Sequence, residues 1–229
     1  MTRFFRFPHT PHIAWLAAGA PRDDKVLSPA EASALLAGSV VLEEKLDGAN
    51  LGFSVAPDGK LRVQNRGQYL EAPFHGQFSR LGVWLSAHED ALFDSLGTDL
   101  MAFGEWCAAR HSLDYGTLPD WWLLFDVYDH AAGAFWSTRR RDEWAYANGF
   151  ATVPRLANGR FTLAQLRQAV LERPSAYRDG SLEGVVVRRE DENWLLDRVK
   201  LVRPDFTQAI DTHWRNRPLE WNRLAGVAA

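Results

Sequence analysis

The stretch Val40-Val41-Leu42-Glu43-Glu44-Lys45-Leu46-Asp47-Gly48-Ala49-Asn50 sets an apolar run before a lysine that stands two residues ahead of Asp-Gly. Val40-Val41-Leu42 reads as a buried strand that delivers Lys45 to its end. The ε-amine of lysine has a reference pKa near 10.4, so holding it neutral near pH 7 costs about 4–5 kcal/mol. Neighbouring cations lower that cost. A lysine at a strand end beside Asp-Gly therefore suggests covalent catalysis. Asp47 would raise the amine's pKa, so it can orient but not activate it.

Working outward, Ser28-Pro29-Ala30-Glu31 is a capping box with proline at the first helical position, predicting a helix to about Leu36. Leu51, Phe53 and Val55 alternate with smaller or polar residues, Pro57-Asp58-Gly59 turns the chain, and Leu61-Arg62-Val63-Gln64 returns it as a hairpin. Trp121 to Val127 reads as a central strand. Arg139 to Asn148, closed by Gly149, reads as a helix with a left-handed cap. Thr162-Leu163-Ala164-Gln165 opens another, to about Glu172. Leu182–Arg189 and Trp194–Val202 read as strands joined by a polar turn. An N-terminal arm, 1–27, reads as irregular over Phe4 to Trp15, and the segment from Asp205 to the end reads as helical, broken at Pro218. Regular strand–helix alternation is missing, which argues against a doubly wound sheet. The expectation is an α+β chain, a single domain over 1–229, built on antiparallel sheets with flanking helices.

The 229 residues are 46% hydrophobic, enough for a sizeable core. No apolar run is long enough for a membrane span, and the N-terminus lacks the apolar core of a secretion signal. The single cysteine, Cys107, rules out an internal disulfide and a multi-cysteine zinc site. A cytoplasmic location is expected. The net charge of −3 does not advertise a nucleic-acid binder. Basic clusters do occur at Arg139-Arg140-Arg141, at Arg188-Arg189, at Arg198, Lys200 and Arg203, and at Arg215, Arg217 and Arg223 among Trp214 and Trp221. Each reads either as a phosphate grip or as a solvated helix face. No Walker-type or dinucleotide-type glycine loop appears, so any phosphate must be held by side chains. The seven histidines show no metal-ligand spacing.

Five further segments follow Lys45 in order: Gln64-Asn65-Arg66-Gly67, Phe103-Gly104-Glu105-Trp106, Leu124-Phe125-Asp126-Val127, Leu182-Glu183-Gly184-Val185-Val186-Val187 and Arg198-Val199-Lys200-Leu201-Val202. With K-x-D-G they resemble, in content and order, the motifs of the covalent nucleotidyltransferases: ATP-dependent DNA ligases, RNA ligases and mRNA capping enzymes. The resemblance implies a ligase adenylation domain, ATP-grasp-like, with ATP and Mg²⁺ (or Mn²⁺) as cofactors. It implies Lys45 as the nucleophile, with Asp47, Arg198 and Lys200 in the catalytic set. Glu44, Asn50, Arg66, Glu105, Phe125 and Lys200 would bind ATP. Among them Glu105 would hold the ribose hydroxyls, Phe125 would stack on adenine, and Arg66 would contact the sugar or an acceptor 5′-phosphate. Glu183 would take the metal.

Asn50 stands five positions after the lysine, where DNA ligases and capping enzymes usually carry arginine and double-strand-sealing phage RNA ligases carry asparagine. The segment after Lys200 is too short for an OB-fold, so none is expected. The chain thus resembles short bacterial RNA ligase family proteins, including its Phe7-Pro8-His9-Thr10-Pro11-His12 arm. Arg198 departs from the family's lysine, a fork in place of a point charge. The implied reaction joins an RNA 5′-phosphate to a 3′-hydroxyl, with an end-healing kinase or phosphatase as a plausible companion. A minimal DNA ligase, another adenylyltransferase, or a catalytically silent nucleic-acid-binding module are the alternatives.

Overall fold

The computed structural model describes residues 4–19, 25–209 and 218–226. In chain order the elements are α1 (Pro29–Leu36), β1 (Val40–Lys45), β2 (Ala49–Val55), β3 (Leu61–Gln64), β4 (Tyr69–Leu70), α2 (Leu81–Leu96), β5 (Leu100–Trp106), β6 (Trp122–Asp129), β7 (Ala134–Phe135), α3 (Thr138–Ala147), β8 (Arg155–Gly159), α4 (Leu163–Glu172), β9 (Gly184–Glu190), β10 (Leu195–Val202) and α5 (Pro204–Ala209). A 3₁₀ turn, Gly76–Phe78, precedes α2. The named strands pair antiparallel throughout, giving the expected mixed α+β fold. Among the described residues no helix is long and apolar enough to cross a membrane.

The chain divides into two compact units: Met1–Pro8 with Gly48–Thr152 and Leu219–Ala229, and His9–Asp47 with Val153–Pro218. The first unit holds a six-stranded sheet in the order β4-β3-β2-β5-β6-β7. One face packs on α2, where Phe53 stacks on Trp84 (5.5 Å between centroids) and meets Trp122 edge-on at 5.0 Å. The other face carries a cluster of Phe7, Met101 and Phe103, with Phe5, Phe125, Tyr128 and Phe135 packed against it. The arm residues Phe5 and Phe7, expected to be irregular, are therefore core-forming side chains on irregular backbone.

The second unit holds a four-stranded sheet in the order β10-β9-β1-β8. Val40, Leu42, Val185, Val187, Val199 and Leu201 form one core with Leu35 of α1 and Leu166 and Val170 of α4. Both helix starts behave as their sequences dictate. The Ser28 and Thr162 side chains accept from the N–H groups of Glu31 and Gln165, whose own side chains return the bond. The arm also edges this sheet: Lys200 N–H donates to the Pro11 carbonyl and Ile13 N–H to the Lys200 carbonyl, each at 2.9 Å.

The helix expected from Asp205 is present over Pro204–Ala209. His213, Trp214, Arg215 and Arg217 lie outside the described residues. Residues 218–226 are not helical. They run as bridging chain against the 107–118 loop, with Trp221 bridging Ala109 and Leu224 bridging Leu118. Asn222 fastens them: its Oδ1 accepts from Tyr115 N–H at 2.9 Å, and its Nδ2 donates to the Cys107 carbonyl at 2.7 Å. A side chain that satisfies buried backbone groups wins here over helix propensity. Asn222→Ala would orphan two buried backbone groups, an expected loss of about 2–4 kcal/mol in chemical denaturation. A change under about 0.5 kcal/mol would contradict the assignment.

Candidate functional site

Strand register decides which side chains of the second unit share a face. Lys45 pairs with Gly184, and Gly184 pairs with Val202. One step along, Glu43, Val186 and Lys200 align, and beyond them Val41, Arg188 and Arg198. Directly opposed residues project to the same side. Lys45, Arg198 and Lys200 therefore stand on one face, and the apolar residues named above fill the other.

Lys45 Nζ lies 2.6 Å from Glu183 Oε1, with the lysine side chain 28% exposed and the glutamate 5%. Glu183 sits immediately before β9, and its carbonyl accepts from Arg203 N–H at 2.9 Å. A β-carbon on Gly184 would collide with the backbone of Leu201. Glycine thus lets β9 and β10 approach where the lysine emerges. Arg198 Nε donates to Thr10 Oγ1 at 3.2 Å. Sequence reading missed Glu43 and took Arg188 only as part of a basic cluster; both are buried on the lysine's face. Arg188 Nε donates to Glu190 Oε1 at 2.6 Å and lies 3.8 Å from Glu43 Oε2. The period-two alternation back from Lys45 was the signal that could have placed Glu43 there.

Several other arginines of the basic clusters are ion-paired. Arg189 pairs with Asp197, Arg203 with Asp205, and Arg139 with Glu143. Arg80 lies 4.2 Å over the Trp221 ring.

Glu44 turns to the opposite side of β1. Its Oε2 accepts from Ala176 N–H at 2.9 Å, while Oε1 is buried without a hydrogen-bond partner. Burial pushes its carboxyl above the ordinary value of 4.5, against opposing hydrogen bonds from Ser175 and Ala176 and the charge of Arg178. Asp47, also buried, ends the first chain segment of this unit.

In the first unit, Asn50 of β2 opposes Glu105 of β5, and Gly52 opposes both Phe103 and Gln64. Asn50, Gln64 and Glu105 thus share a face. Asn50 Oδ1 and Gln64 Oε1 are buried there without hydrogen-bond partners. Glu105 Oε1 accepts from Gly48 N–H at 2.9 Å. A β-carbon on Gly48 would fall 2.5 Å from the Trp106 carbonyl and 3.0 Å from Glu105 Cγ. The glycine of the Asp-Gly pair is therefore a steric requirement. Arg66 is exposed at a tight turn in which Asn65 Oδ1 accepts from the N–H groups of Gly67 and Gln68. Phe125 is half-buried, its ring 5.3 Å from that of Phe7. Cys107 is buried and takes part in no disulfide.

The predicted residues thus fall into two sets: Glu44, Lys45, Asp47, Glu183, Arg198 and Lys200 in the second unit, and Asn50, Arg66, Glu105 and Phe125 in the first. Among the described residues no group of three or more His, Cys, Asp or Glu side chains could cage a metal. A buried carboxylate such as Glu183 still fits Mg²⁺, which takes one or two carboxylates and completes its shell with water and phosphate.

A family model described as RNA ligase matches residues 38–202. No curated protein matches the chain by sequence. Three solved structures of Naegleria gruberi RNA ligase share the fold. An alanine variant with ATP and Mn is 16% identical, over 77% of this chain and 53% of that one, with a TM-score of 0.60. The enzyme with PPi is 19% identical, over 76% and 52%, at 0.59. Another alanine variant with ATP and Mn is 14% identical, over 93% and 64%, at 0.60. The chain thus spans about half to two thirds of the length of these relatives.

Two consequences are measurable. Glu44 binds its proton more readily in the fold than in the unfolded chain. Its contribution is therefore full below the ordinary value of 4.5 and is lost as pH rises through the folded value. Glu44→Gln should raise the thermal midpoint at about pH 7.5, with the gain vanishing near about pH 4. A gain independent of pH would contradict it. Gly48→Ala should cost about 1–3 kcal/mol by overpacking; unchanged stability in urea would refute the close approach.

Proposed function

We propose that this chain, which belongs to the RNA ligase family, is an ATP-dependent RNA ligase acting through Lys45. The single observation that carries the reading is the placement of Lys45, Arg198 and Lys200 on one sheet face, with Glu183 2.6 Å from the amine. That is the set which nucleotidyl transfer to a lysine requires.

In this reading the Lys45 ammonium leaves Glu183, loses a proton to solvent water, and the neutral amine attacks the α-phosphorus of ATP. A P–N bond forms, the bond to pyrophosphate breaks, and lysyl–AMP results. Arg198 and Lys200 place positive charge where the transferring phosphoryl group carries spread negative charge. Asp47, two residues beyond the lysine, orients the nucleotide. Glu105 takes the ribose hydroxyls and Phe125 the adenine face, while Glu44 and Asn50 complete the nucleotide contacts. The buried, unpartnered Asn50 Oδ1 and Glu44 Oε1 support polar ligation on both units. Glu183 is the side chain that would hold Mg²⁺ (or Mn²⁺), and the bound ion would supply positive charge beside the phosphates. The N. gruberi structures with ATP and Mn make these the cofactors to try first.

The RNA 5′-phosphate, which Arg66 contacts, then attacks the AMP phosphorus; a 5′–5′ pyrophosphate bond forms as the P–N bond to Lys45 breaks. A 3′-hydroxyl attacks that 5′-phosphate and AMP leaves. Both units serve one adenylation domain in this reading. RNA with a nick or break is the substrate, and because both 5′-phosphate and 3′-hydroxyl are needed, an end-healing kinase or phosphatase is the companion activity. A buried cysteine outside any disulfide fits the reducing cytoplasm.

Sealing of a nicked duplex whose 5′-phosphate strand is labelled, with RNA or DNA at the nick, tests this. The expected order is RNA above DNA, with Lys45→Ala inactive on both and Glu183→Gln reduced at least about 100-fold. Equal sealing of DNA nicks would shift the reading to a minimal DNA ligase, and sealing by Lys45→Ala would refute it.

A further inference from the structure

Strand β6 carries one residue more than its partner. Phe103 pairs with Asp126 but Gly104 pairs with Leu124, so Phe125 faces no residue of β5. Such a bulge bends a strand and re-aims a side chain. Here it lets two sequence neighbours look out on one face: Asp126 through its pairing with Phe103, and Phe125 through its packing on Phe7. Leu124 and Val127, on either side, both remain fully buried.

Along the outer edge of β6, Leu124 N–H donates to the Ala151 carbonyl at 2.8 Å and Trp136 N–H donates to the Val127 carbonyl at 2.9 Å. Between them, Arg141 Nη1 donates to the Phe125 carbonyl at 2.7 Å. Arg141 is fully buried, and its Nε and Nη2 donate to Asp142 Oδ1 at 2.8 and 2.6 Å. Ser137 caps the helix turn that carries it. Its neighbours behave differently: Arg139 pairs with Glu143 at the surface, and Arg140 lies 4.0 Å over the Trp136 ring. Only the third arginine of the run is drawn inward. Burying a guanidinium is costly where an apolar side chain could fill the same space. The bulged carbonyl is the group that a charged donor can satisfy and an apolar one cannot.

We propose that Arg141 is a positioning residue that fixes the bulge and, through it, the angle at which the Phe125 ring meets the nucleobase. This rests on the reading of Phe125 as the base-stacking residue. Arg141 touches no substrate; it acts through the Phe125 main chain.

The experiment measures the KM for ATP and the maximal rate of lysyl–AMP formation in wild type, R141M, R141K, F125A and R141M/F125A. Removing a stacking ring weakens nucleotide binding, so F125A should raise KM roughly tenfold or more, and R141M should raise it roughly fivefold. The maximal rate should stay within about twofold in R141M, and R141K, which keeps one donor, should recover part of the loss. In the F125A background, R141M should add nothing to KM. An equal fold-loss in both backgrounds, or an unchanged KM in R141M beside a raised one in F125A, overturns the proposal alone. An unchanged KM in F125A overturns the stacking reading and the proposal with it. If R141M does not fold, the same cycle is read with R141K.

Discussion

The pairing of β1 with β9 is the constraint on which the chemistry depends. Because Lys45 opposes Gly184, the residue just before β9 is the one beside the amine, and that residue is Glu183. A one-residue slip would send Lys45 to the apolar face and put Glu44 in its place. The register is held from the other side of the same sheet, where Val40, Leu42, Val185 and Val187 pack into the core. The hydrophobic effect thus enforces the geometry of a polar site, since slipping would expose those four side chains as well as misplace the lysine. β10 extends the same logic: its alternation buries Val199 and Leu201 and thereby turns Arg198 and Lys200 to the lysine's face.

The first unit works by close approach. Gly48 and Gly52 lie where a β-carbon would strike the Trp106 carbonyl and the Phe103 ring, respectively. Glu105 holds the Gly48 N–H, so the turn that opens β2 is tied to β5. Asn50 and Gln64 then lie on the same face as Glu105. Their buried acceptors are the kind of imbalance that a folded chain tolerates at a ligand site and removes elsewhere.

Much of this was legible in the sequence where the signal is local. Ser28 with Glu31, Thr162 with Gln165, and Gly149 at φ 74° each fix a helix end within four residues. The motif reading also set Lys45 at the end of a strand, where β1 closes, and Glu183 just before β9. Helix α2 was not legible: Arg80 gives it no side-chain cap, and exposed Val83 and Phe93 blur its apolar stripe. β8, Arg-Leu-Ala-Asn-Gly, has little strand propensity and exists because β1 offers it an edge. The arginine run 139–141 has the composition of a solvated face. A buried arginine that serves a backbone carbonyl sixteen residues upstream leaves no trace in local pattern.

The central claim is that the Lys45 amine beside Glu183 becomes covalently adenylylated, and intact mass reads that event directly. Wild type and Lys45→Ala would be treated with pyrophosphate to clear any pre-loaded AMP, then weighed before and after incubation with ATP and Mg²⁺. The account predicts a gain of about 329 Da, one AMP less water, on wild type alone. No gain on wild type, or an equal gain on Lys45→Ala, would contradict it.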